Sequence, residues 1–64
     1  MIPKPNISKG QIYRDKNTNG KYEITRVVKF EGMIEEIILQ NVNNKSLEFY
    51  VSPFELRTNY ELID

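Results

Sequence analysis

The chain has 64 residues, with nine basic and nine acidic side chains and neither cysteine nor histidine. That length holds one small domain, and the missing residue types exclude a disulfide framework, an imidazole-based catalytic triad and the usual zinc sites. Zero net charge also argues against the phosphate neutralisation that drives nucleic-acid affinity, although residues 1–32 carry seven basic and three acidic side chains and residues 33–64 two and six.

Residues 1–8 read as a flexible lead-in, because Pro3 and Pro5 hold the backbone extended and remove amide donors. Residues 9–64 then form the domain proper. The start is polar and lacks the apolar run of a secretion signal. No segment approaches a membrane span, so a cytoplasmic protein away from the membrane is expected. Gln11-Ile12-Tyr13-Arg14 reads as a short first strand with Ile12 inward. Asp15-Lys16-Asn17-Thr18-Asn19-Gly20 follows, and its Asn-Gly pair is a strong hairpin signal. Lys21 to Phe30 is rich in β-branched and aromatic residues, with Tyr22 and Ile24 on one face. The adjacent Val27-Val28 pair breaks the alternation and predicts a bend or bulge there.

Glu31-Gly32 is the next turn. Met33 to Val42 is the third strand, with Ile37 and Leu39 inward and Ile38 and Val42 on the other face. After Asn43-Asn44-Lys45, the segment Ser46 to Val51 alternates cleanly, with Leu47, Phe49 and Val51 inward and Glu48 and Tyr50 outward. Ser52-Pro53-Phe54-Glu55-Leu56 has the signature of a capped helical start, and its shortness predicts a 3₁₀ turn. Asn59 to Ile63 closes as a short strand. The expected core is Ile12, Tyr22, Ile24, Val28, Ile37, Leu39, Leu47, Phe49, Val51, Phe54 and Leu62, with Phe54 plugging one end.

This order, carried by Gly10 to Ile63 and most clearly by Gly10-Gln11-Ile12-Tyr13-Arg14 and Phe49-Tyr50-Val51-Ser52-Pro53-Phe54, resembles the Src-homology-3-like small barrels. The two motifs look like those of small proteins of this type in Gram-positive bacteria and their phages. The resemblance implies an all-β, five-stranded small barrel with one short 3₁₀ turn before the last strand. It does not imply proline-rich peptide recognition. The loop between the first two strands is short, and there is no tryptophan for a binding face.

Several motifs imitate chemistry. Asp15 to Gly20 matches the first half of a calcium-binding EF-hand loop, whose twelfth position must be a bidentate glutamate. Here that position is Arg26, so no metal is expected. Glu35 and Glu36 are neighbours on a strand and point to opposite faces. With no glycine-rich phosphate loop either, neither an enzyme nor a cofactor is expected. A nucleic-acid surface could be built from Tyr13, Arg14, Lys21 and Arg26, aromatics beside cations as in other small barrels.

A protein partner is the preferred reading. Phe30, Met33 and Ile34 surround the tip of the second hairpin, where apolar clusters mark contact sites. Tyr50 and Arg57 are of the residue types that anchor interfaces. Edge-strand pairing into a homodimer would enlarge a small core. The sequence thus points to a non-catalytic protein-interaction module, and the resemblance to a phage or prophage accessory protein that binds a host protein. A nucleic-acid-binding barrel is the alternative.

Overall fold

A computed structural model describes residues 6–64. In chain order the elements are β1 (Ile12–Asp15), β2 (Lys21–Phe30), β3 (Met33–Asn41), β4 (Glu48–Val51), α1 (Pro53–Asn59) and β5 (Tyr60–Leu62). The strands form one antiparallel sheet in the order β4-β3-β2-β1-β5. The sheet is open, with β4 and β5 as its edges, and α1 packs against β3, β4 and β5. All-β architecture with five strands and one short helix is therefore the fold, without the strand-to-strand closure of a complete barrel.

Turn chemistry fixes the hairpins. Between β1 and β2, the Asp15 carboxylate accepts the amides of Asn17 and Thr18 at 2.7 and 3.3 Å. Asn19 takes the left-handed backbone (φ 64°) that Asn tolerates. Between β2 and β3 the loop is two residues long, Glu31 and Gly32, both with positive φ (52° and 80°), as a type I′ turn requires. Glycine meets that need without strain and glutamate does not, since a left-handed residue with a Cβ costs about 1–2 kcal/mol. Replacing Glu31 with Asn is expected to stabilise the fold by about 0.5–1 kcal/mol. Thermal unfolding followed by circular dichroism would then show a midpoint higher by a few degrees, and an unchanged or lower midpoint would count against stored strain at this tip.

Two register shifts divide the long β2–β3 pair, one between Ile24 and Arg26 and one between Val28 and Lys29. They flank the Val27-Val28 pair expected to hold the bend. Thr25 is the extra residue on β2 and Glu35 the extra residue on β3. The shifts restore the inner face on both sides: Ile24 stands opposite Leu39 and then Phe49, and Val27 opposite Ile37 and then Val51. The core on this face is Tyr13, Tyr22, Ile24, Ile37, Leu39, Val51 and Leu56. Ile7, Val27, Ile34, Tyr60 and Leu62 pack partly against it. Of the lead-in expected over residues 1–8, residues 1–5 lie outside the described part, and Ile7 belongs to the core's rim.

Several expectations need correction. In β1 the inward residue is Tyr13, not Ile12, because Tyr13 stands opposite Tyr22 and Leu62. Val28 is half-buried on the outer face. Leu47 and Phe49 remain 39% and 40% exposed: Leu47 belongs to the loop before β4, and Phe49 to an edge strand with nothing beyond it. Ile38 is buried (9% exposed) on the outer face, between Arg26 and Tyr50.

The largest corrections concern the segment after β4. It is a seven-residue α-helix, not a 3₁₀ turn. Ser52 Oγ accepts the Glu55 amide at 3.1 Å, and a Glu55 carboxylate oxygen accepts the Ser52 amide at 3.2 Å, a reciprocal capping box that satisfies two otherwise orphaned donors. Phe54 is 75% exposed, and Leu56, fully buried, fills the core in its place. Residues two apart on an α-helix lie roughly 200° apart around its axis, so burying Leu56 turns Phe54 to solvent.

Candidate functional site

Strand alternation and the register shifts sort the partner-binding candidates into two groups. Phe30 and Met33 stand opposite each other at the tip of the β2–β3 hairpin. They are 64% and 74% exposed and belong to the outer face. Tyr50, 61% exposed, is on the same face, displaced along β3 to the position opposite Ile38. Ile34 pairs with Lys29 and packs against the core, so it belongs to the inner face. Arg57, in the last turn of α1, is also on that side. The five residues therefore do not form one patch.

Ile34 and Arg57 meet across a groove of ≈ 640 Å³ bordered by Tyr13, Lys29, Tyr60 and Leu62. Its apolar lining comes from Ile7, Ile34 and Leu62. Lys29 comes from the hairpin and Arg57 from the helix, and the two tyrosines come from β1 and β5. Burial pushes the Tyr13 phenol above its ordinary range, opposed by the nearby Arg57 guanidinium. Tyr60 is pushed the same way, first by burial and then by Asp15, Tyr22 and Glu55. The Tyr13 hydroxyl donates to Gln11 Oε1 at 3.4 Å.

Glu61 touches the groove, but its carboxylate is bound by Arg14, its cross-strand partner. Arg14 and Glu61 neighbour the inward Tyr13 and Leu62, so their side chains occupy the opposite face. Among the described residues this is the one ion pair.

The nucleic-acid candidates are arranged less favourably. Tyr13 is 7% exposed and Tyr22 6%, so neither presents a ring face for base stacking. Arg14 also donates to the Asn19 side-chain oxygen at 2.6 Å. Lys21 stands beside Arg14, and Arg26 lies on the same outer face. Glu23, Glu36, Glu48 and Glu61 interrupt these cations, so they form no continuous basic stripe.

In the Asp15 to Gly20 loop, one Asp15 carboxylate oxygen accepts the amides of Asn17 and Thr18. No group of three or more acidic side chains gathers among the described residues. No helix among them is long and apolar enough to cross a membrane.

Sequence reasoning named Ile34 and Arg57 but not Lys29 or Tyr60. Alternation alone puts Lys29 on the side opposite Phe30, yet which side faces the core depends on the register shifts, and these are set by tertiary pairing. The chain matches no family model, no curated protein and no solved structure.

Proposed function

We propose that this chain is a non-catalytic protein-interaction module, a partly open member of the Src-homology-3-like small barrels that works in the cytoplasm. The observation that carries the reading is the Phe30–Met33 pair. Two large apolar side chains face each other across a hairpin tip, both mostly in water. Nothing in the fold requires them there, since the I′ turn constrains only Glu31 and Gly32. Exposed apolar side chains of this size mark contact surfaces, and methionine adapts to irregular partners. The strand order, with one helix between β4 and β5, supports the barrel-family reading. The likeness of the two end motifs to small proteins of bacteria and phages supports a host protein as the partner.

The test is recovery of a discrete protein from a bacterial lysate on the immobilised chain. That capture is expected to be lost in the Phe30→Lys, Met33→Lys double variant, which should remain folded because both side chains are exposed. Retention on heparin or single-stranded DNA at physiological salt, with no protein recovered, would instead favour a nucleic-acid-binding barrel.

A further inference from the structure

We infer that the groove between the β2–β3 hairpin and α1 receives an acidic, apolar-centred segment of the protein partner: an extended peptide with a carboxylate on either side of an aliphatic or aromatic side chain. The inference rests on the protein-interaction reading and adds what the partner must look like. Charge complementarity carries it. Lys29 and Arg57 stand on opposite banks of an apolar floor made by Ile7, Ile34 and Leu62. Neither has an ion-pair partner among the described residues, and residues 1–5 contain no acidic side chain that could supply one. The one carboxylate beside the groove, Glu61, is drawn to the far face by Arg14. The groove is thus left with two cations that have no ion-pair partner among the described residues and with the Tyr60 phenol, while its lining carboxylate, Glu61, is held by Arg14.

An anion of any kind would satisfy the two cations. A bare phosphate backbone would leave the Ile34–Leu62 floor wet, however, and of the two flanking tyrosines Tyr13, 7% exposed, is too buried to stack a base. A peptide side chain between two carboxylates covers the floor and reaches both banks. Rim charges of this kind steer association and choose the partner more than they add raw affinity.

The experiment probes a random-sequence peptide array with the labelled full-length chain at physiological salt. The expected result is enrichment of Asp or Glu flanking an apolar residue, with binding of the selected peptides weakened about tenfold or more in the Lys29→Glu, Arg57→Glu variant. Both substitutions are at exposed positions, and circular dichroism checks the fold. An enriched peptide titrated into isotope-labelled wild-type chain supplies a reading that needs no variant, because the amides of Gly32, Ile34 and Leu62 should shift most.

Selection of basic or uncharged peptides overturns the inference, as does acidic selection that the variant leaves intact or shifts confined to other residues. Each of these leaves the protein-interaction reading standing. An array without binders also overturns the groove assignment. If an oligothymidylate is then retained at the same salt, the interaction reading falls with it.

Discussion

Leu56→Ala should lower the stability of this domain by about 2–5 kcal/mol, the range for truncating a fully buried leucine, whereas Phe54→Ala should change it by about 0.5 kcal/mol or less, as for an exposed side chain. The contrast follows from geometry. Leu56 has no solvent exposure and belongs to the central cluster, and it alone of the helix residues does so. The helix in turn packs against β3, β4 and β5, so Leu56 ties both edges of the open sheet to its interior. Native domains have only about 5–15 kcal/mol in hand, and small ones sit low in that range. Leu56→Ala should therefore be largely unfolded at moderate temperature. Urea titration of the two variants against the parent gives the comparison. If Phe54→Ala shifts the midpoint more than Leu56→Ala, the helix is docked by the wrong face.

That pair of residues also shows where sequence legibility ended. Ser52, Pro53 and Glu55 announced a capped helical start, because capping is local chemistry among residues within one turn. Which of Phe54 and Leu56 is buried depends on how the helix is rotated against the sheet, a tertiary quantity, and size alone favoured the wrong one. Strand parity behaved similarly. Tyr22, Ile24, Ile37, Leu39 and Val51 were legible as core because their segments alternate over several residues. In the four-residue β1 the alternation was too short to distinguish Ile12 from Tyr13, and the pairing with Tyr22 decided it. At the candidate site, the apolar hairpin tip was visible from Phe30 and Met33 beside a turn glycine. Assigning Ile34 to that tip failed because the bulge at Glu35 is invisible without the partner strand. The groove was not legible at all, since Lys29, Arg57 and Tyr60 are brought together only by the return of β5 alongside β1.

Tyr22→Ala is expected to cost about 3–5 kcal/mol, comparable to losing any large core aromatic, while Tyr22→Phe should be nearly silent, because the hydroxyl has no hydrogen-bond partner among the described residues. The ring is 6% exposed and makes edge-on contacts with Phe49 at 5.5 Å and Tyr60 at 6.0 Å between centroids. Those partners come from β4 and β5, the two edges, each two strands away from β2 in the sheet. Tyr22 is thus the point at which both edges of an open sheet converge on one side chain, and α1 braces the same two edges on the same face. A double-mutant cycle between Tyr22→Leu and Phe49→Leu avoids the risk that the alanine variant does not fold. Aromatic pairs of this geometry couple by about 0.5–1.5 kcal/mol beyond their buried area. A cycle that closes to zero would mean that Phe49, 40% exposed as it is, merely lies near the ring, and that the β4 edge is held by Val51 and the helix alone.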